Sequence, residues 1–220
     1  MAGVVETEAH LMQNLPRPQR SGRTPCMLTD LPNLLTLGRI AAIPLLVIFA
    51  NWGTPLADLV ACVIFAAAGV TDYFDGKLAR DRAQTSDLGR MLDPIADKLL
   101  VGATLMVLVG THRLGPAGLF PAIVIMLREI LVSGLREYLA GLRVSLPVTK
   151  LAKWKTGFQM AALGTLLAGD SGAAVIWLDF LPVSMIGAVL LWTAALLTLI
   201  TGWDYLRAGL RHAGVVGLDG

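Results

Sequence analysis

Apolar residues along this chain come in long unbroken runs, and the polar residues collect between them. Six runs stand out: Leu34–Trp52, Ala57–Phe74, Ile95–Gly110, Gly115–Leu135, Leu151–Ala168 and Leu181–Ile200. An α-helix needs roughly 20 apolar residues to cross a hydrocarbon core, somewhat fewer when its polar ends snorkel. The connections at Gly53–Pro55, Gly110–Gly115 and Gly169–Gly172 are short and rich in turn residues. The pattern predicts an all-α fold, a polytopic membrane protein built as a six-transmembrane-helix bundle. Residues 29–210 form the membrane domain in this reading, between a flexible cytoplasmic N-terminal tail at 1–28 and a cytoplasmic C-terminal tail at 211–220. Met1 to Pro25 holds Glu6, Glu8, Pro16 and Pro18 and lacks the apolar stretch of a cleavable signal. No internal repeat marks a solenoid or an inverted-repeat transporter.

Composition agrees. The 220 residues are 55% hydrophobic and only 15% charged, against about a quarter charged in soluble domains, and mean hydropathy is +0.66. A net charge of +2 gives no reason to expect a nucleic-acid partner. Cys26 and Cys62 have neither metal-ligand spacing nor a setting that favours a bridge. Trp154, Trp192 and Trp203 read as interfacial anchors or packing residues.

Charge fixes the orientation. An even number of spans leaves both ends on one side, and Arg17, Arg20, Arg23, Lys77, Arg80, Arg82, Arg90, Arg136, Arg143, Lys150, Lys153, Lys155, Arg207 and Arg211 all fall there. Arg113 falls opposite, with Asp58, Asp170 and Asp179. Cytoplasmic loops carry the excess of Lys and Arg, so both termini are expected in the cytoplasm of a cell membrane.

One stretch breaks the oily pattern. TDYFDGKLARDRAQTSDLGRMLDPIADKLL, Thr71 to Leu100, carries Asp72, Asp75, Asp81, Asp87, Asp93 and Asp97. On a helix Asp72, Asp75, Gly76 and Ala79 share one face, as do Gly89, Asp93 and Asp97 on the next. The short link Arg80–Leu88 suggests that these helices run antiparallel, side by side, with both acidic faces at the cytoplasmic boundary. Gly76, Ala79 and Gly89 leave room for a ligand there. Asp81 and Asp87 read as solvated loop charges or caps. Four clustered carboxylates repel one another, and two hard divalent cations, of the kind all-oxygen sites suit (magnesium, manganese or calcium), would compensate them. The absence of His and Cys from the stretch argues against zinc.

The spacing Asp72-x-x-Asp75-Gly76-x-x-Ala79-Arg80, eight residues, Gly89, three, Asp93, three, Asp97 resembles the signature of the CDP-alcohol phosphatidyltransferases at every defined position. The resemblance implies a six-helix membrane fold, usually a homodimer, that moves a phosphatidyl group from CDP-diacylglycerol to an alcohol and releases CMP. It implies that Asp72, Asp75, Asp93 and Asp97 hold the metal pair and that Asp97 is the general base. It also implies that Gly76, Arg80 and Ser86, with Ala79 and Gly89 beside them, line the CDP-diacylglycerol site. Asn33 and Thr36 either touch the nucleotide or cap the first helix.

Three further segments, LPNLLTLGRIAAIP at Leu31–Pro44, REILVSGLREYLAGLR at Arg128–Arg143 and KLAKWKTGFQMAALG at Lys150–Gly164, resemble the bacterial members of that family that use sn-glycerol 3-phosphate and make phosphatidylglycerol phosphate. A phosphorylated acceptor suits the basic residues. Arg128 sits in a long apolar helix, where a cation needs Glu129, the aspartates or an incoming anion. Arg39, Arg136, Lys150 and Lys153 join it as candidate phosphate contacts, with Lys155 nearby. Membrane anchoring is the other reading of Arg136, Lys150 and Lys155. The alternatives are the same reaction with inositol phosphate, phosphatidylglycerol (a cardiolipin synthase), serine or inositol as acceptor. From other classes they are a small cation transporter or an inactive paralogue.

Overall fold

Each apolar run becomes a helix, and each helix runs past at least one end of its run. The computed structural model describes residues 31–82, 87–141 and 150–212, which form six helices and no strand. They are α1 (Leu31–Ala50), α2 (Pro55–Arg82), α3 (Asp87–Gly110), α4 (Gly115–Gly141), α5 (Lys150–Val175) and α6 (Val183–His212). The tail at 1–28 lies outside the described residues, as does the C-terminal tail beyond His212.

The turns at Gly53 and Gly115 use backbone that glycine adopts freely, with φ of 77° and 62°. The connection expected at Gly169–Gly172 is different. Gly169 takes φ 59° and ψ −178° inside α5, and the helix resumes to Val175. Glycine at a positive φ can end a helix or merely kink it. Here the chain turns only after Val175, through Trp177 at φ 61°. Asp170, just past the kink, accepts the Ser184 amide at 2.9 Å and so caps the first turn of α6 from across the loop. That bond holds the exposed Asp170 carboxyl below the usual range.

α5 packs on α6 and α2, α1 on α2 and α3, and α4 on α6, with slighter contacts from α3 to α4 and α5. Leu46, Phe65, Leu100, Leu108, Ile125 and Leu163 are nearly or fully buried in the core between them. Gly187 lets α6 close on α5, because a Cβ there would meet Leu166 Cγ at 2.7 Å.

The distribution of polarity is inverted relative to a water-soluble protein. Thr36, Arg39, Asp58, Lys155, Gln159 and Thr201 are buried, whereas Leu119, Phe120, Ile123, Leu127, Ile130 and Leu131 are exposed along α4. Two helices, Gly115–Gly141 and Val183–Arg207, are each long and apolar enough to cross a membrane.

A polar clamp closes one end. Asp58, at the start of α2, pairs with Arg113 from the α3–α4 connection and accepts the Ser171 hydroxyl at 3.1 Å. Arg113 also donates to Leu167 O at 2.5 Å and Ala50 O at 3.2 Å. It thereby satisfies carbonyls left open where α1 ends and where Gly169 breaks the ladder of α5. Asp58 and Asp75 are 17 residues apart on α2, ~25 Å at 1.5 Å per residue, so clamp and signature occupy opposite ends.

Candidate active site

The signature falls at the other end of the bundle. Asp72, Asp75, Gly76, Ala79 and Arg80 lie in the closing turns of α2, and Gly89, Asp93 and Asp97 in the opening turns of α3. Ser86 lies outside the described residues, and Asn33 belongs to the first turn of α1. Among the described residues α1 and α5 each pack against both α2 and α3, so flanking helices join the two acid-bearing ones.

Asp93 and Asp97 are half-buried, one turn apart on one face of α3. The fully buried Thr36 hydroxyl donates to Asp93 Oδ1, which fixes that carboxylate from α1. Arg39, one turn further along α1 on the same face, is buried as well. Lys98 donates to the Pro94 carbonyl at 2.7 Å. No three acidic, His or Cys side chains converge among the described residues. The donors in place at Asp93 and Asp97 are all carboxylate oxygens, the type that hard divalent cations take. In that respect the site fits magnesium or manganese.

A cationic cluster lies between α4, α5 and α6. Arg128 makes an ion pair with Glu129 at 3.6 Å, donates to Thr201 Oγ1 at 3.0 Å and lies 5.7 Å from the centroid of the Tyr205 ring. Arg136 lies 5.0 Å from the same centroid and donates to the Tyr205 hydroxyl at 3.0 Å. Lys155 Nζ donates to Glu129 from α5. Gly202 gives Arg128 its space, since a Cβ there would meet Arg128 Cγ at 3.0 Å. Arg128 and Lys155 share the Glu129 carboxylate and Arg136 stands beside Arg128 at Tyr205, so in these contacts among the described residues cations outnumber carboxylates, a setting for an anion.

Of the expected acceptor contacts, Arg128 and Arg136 meet at Tyr205, whereas Arg39 sits with Thr36 on α1. Lys153 is exposed and Lys155 buried, because two residues along a helix is a rotation of about 200°. Lys150 opens α5.

Two cavities adjoin these groups. A small one of about 40 Å³ is walled by Asp97, Glu129, Lys155, Thr156 and Gln159, and so joins the acidic face of α3 to the cationic cluster. A large apolar groove of about 760 Å³ runs between α2 and α5, from Val70 past Phe65 and Gly164 to Ile186. Its Val70 end lies two residues before Asp72 in the chain. Tyr205, Thr201 and Gln159 carried no signal in isolation, although Gln159 stands four residues, one turn, beyond Lys155 in an otherwise apolar stretch.

A family model for CDP-alcohol phosphatidyltransferase matches residues 29–200. A Rickettsia bellii protein named CDP-diacylglycerol--glycerol-3-phosphate 3-phosphatidyltransferase is 45% identical over 183 residues, covering 83% of this chain and 97% of its own. Proteins of the same name from Cereibacter sphaeroides (40% identical over 213 residues, 83% of this chain and 96% of its own) and Salmonella choleraesuis (41% over 181, 81% and 94%) are similar across the same extent.

Proposed function

Because the chain belongs to the CDP-alcohol phosphatidyltransferase family, we propose that it transfers the phosphatidyl group of CDP-diacylglycerol to sn-glycerol 3-phosphate, yielding phosphatidylglycerol phosphate and CMP. The observation that carries this reading is the shared cavity: Asp97 and the pair Glu129–Lys155 wall the same space. A phosphorylated alcohol there could place its phosphate toward Arg128 and Lys155 and its hydroxyl beside Asp97.

The chemistry follows from the groups present. The acceptor hydroxyl oxygen forms a bond to the β-phosphorus of the donor, the bond from that phosphorus to CMP breaks, and Asp97 takes the hydroxyl proton. An aspartate is a weak base toward an alcohol by its unperturbed pKa, so the proton moves late, as the P–O bond forms. Asp72, Asp75, Asp93 and Asp97 would hold two magnesium or manganese ions, with Thr36 orienting Asp93. Bound there, the ions would neutralise the diphosphate and ease departure of CMP. The main chain near Gly76, Ala79, Arg80, Ser86 and Gly89 would receive the nucleotide. Arg128, with Arg136 beside it at Tyr205, would hold the acceptor phosphate through its forked donors. The acyl chains would lie in the apolar groove that begins beside Asp72.

In a membrane we read all six helices as spans. Exposed leucines and isoleucines face lipid, polar groups face inward, and the helices satisfy their backbones internally except where Arg113 takes the open carbonyls of Leu167 and Ala50. The surplus of Lys and Arg at the signature end supports a cytoplasmic setting for that end and for both termini. The family resemblance extends this reading to a homodimer in the cell membrane.

The test is CMP release from CDP-diacylglycerol by the purified protein with magnesium or manganese, offering glycerol 3-phosphate, inositol phosphate, phosphatidylglycerol, inositol and serine separately. Release that needs glycerol 3-phosphate and stops with a chelator is expected. Release with another acceptor instead would overturn the assignment of the cationic cluster.

A further inference from the structure

Gln159 is a buried polar side chain whose amide oxygen no described residue satisfies. It is 3% exposed, and among the described residues no donor reaches its Oε1. Buried side-chain amides nearly always find partners, and one left open is explained by water, an ion or a ligand. Lys155, one turn away on the same face of α5, is committed to Glu129. The open amide lines the small cavity together with Asp97, Glu129, Lys155 and Thr156, with Val101 and Met160 as its apolar walls.

Size and chemistry narrow what belongs there. At about 40 Å³ the cavity is small and lined by Asp97, Glu129, Lys155, Thr156 and Gln159, so it suits a small hydroxyl-bearing group. A hydroxyl both donates and accepts, so it satisfies the amide whichever way the amide is turned. A neutral amide also adds no charge beside Asp97 that would compete for the proton or for metal.

Resting on the transfer reaction proposed above, we infer that Gln159 binds the non-reacting hydroxyl of a small phosphorylated polyol. It thereby selects for acceptors that carry a hydroxyl next to the attacking one. Asp97 attends the reacting hydroxyl, the arginines the phosphate, and Gln159 the group between.

The experiment compares kcat/KM for glycerol 3-phosphate with that for 3-hydroxypropyl phosphate, which lacks the middle hydroxyl, by CMP release. The wild type prefers glycerol 3-phosphate by about ten-fold or more, the loss expected when a site built for a hydroxyl meets an analogue without one. Gln159→Leu and the near-isosteric Gln159→Met bring the ratio close to one, chiefly by slowing glycerol 3-phosphate. Equal use of both acceptors by the wild type overturns the inference without any variant. So does a wild-type ratio retained in folded Gln159→Met. A wild type that releases CMP with neither acceptor removes the transfer reading and this inference with it, whereas turnover with an unchanged ratio removes this inference alone.

Discussion

Tyr205 holds two arginines at once, and that makes the proposed acceptor site testable from α6, a helix outside the family signature. The side chain is 4% exposed, and its ring and hydroxyl meet Arg136 while its ring also meets Arg128. Tyr205→Phe keeps the ring and removes only the acceptor for Arg136, a hydrogen bond worth about 0.5–1.5 kcal/mol net. If that bond orients Arg136 toward an acceptor phosphate, KM for glycerol 3-phosphate rises about two- to ten-fold at 1.4 kcal/mol per decade. Tyr205→Leu also removes two cation–π contacts of about 0.5–1 kcal/mol each. The combined loss, roughly 1.5–3.5 kcal/mol, corresponds to a rise of about ten- to a few hundred-fold. Both variants should keep the KM for CDP-diacylglycerol within about two-fold, since these contacts serve one substrate by this argument. The assay is CMP release with each substrate varied in turn, alongside thermal unfolding in detergent to confirm the fold. Equal increases in both KM values, or a fall in kcat alone, would refute a positioning role for Tyr205.

Other expectations come from the same geometry. Thr36→Val removes the hydroxyl that holds Asp93 and should raise the magnesium or manganese concentration for half-maximal turnover about 10–100-fold, read from a metal titration. Asp93→Ala and Asp97→Ala should each abolish CMP release in a folded protein; turnover retained by either would contradict the metal assignment. Asp58→Asn leaves Arg113 short of its counter-charge in a mostly buried setting, and should lower stability by about 2–3 kcal/mol and Tm by roughly 5–10 °C, with kcat unchanged because the site lies at the other end of α2. Asp170→Ala should lower stability by ~0.5 kcal/mol, the low end for an exposed cap. Because the folded state depresses the Asp170 pKa, this contribution is present above the ordinary carboxylate pKa and is lost as pH falls through the lower folded value. Wild type and variant should therefore converge in Tm at the acid end of a pH series, and a constant difference would exclude the carboxylate as its source.

The six helices were legible because long apolar runs have one structural answer. Their ends were not, since hydropathy marks the lipid-facing part and the backbone ladder continues into polar sequence: α2 passes Phe74 to reach Arg82, and α3 begins at Asp87. At Gly169 the local sequence allowed a turn or a kink, and distant partners, Arg113 on Leu167 O and Asp170 on Ser184, accompany the kink. Asp93 and Asp97 were readable from spacing alone, because a shared face needs only the helical period. The cationic cluster was half readable. Charge in an apolar helix singled out Arg128, but Lys153 and Lys155 are told apart only by which side of α5 faces α4. Tyr205 and Gln159 matter through neighbours on other helices, and no sequence period encodes those neighbours.

The pairing of Arg113 with Asp58 bears on how the chain enters its membrane. In the orientation proposed here Arg113 is the sole Lys or Arg in the loops on the far side, the one fixed positive charge that argues for the opposite topology. Its partner is made earlier in synthesis, at the head of the preceding hairpin, and is already there when Arg113 arrives. Once the pair forms, that side has no uncompensated cation, and reversing the protein would mean both breaking the pair and carrying the basic signature end across the bilayer. In that orientation the contact that ties α1, α2 and α5 together would also act as a latch on topology, keeping the proposed lipid-synthesising face turned to the compartment that supplies its soluble substrate.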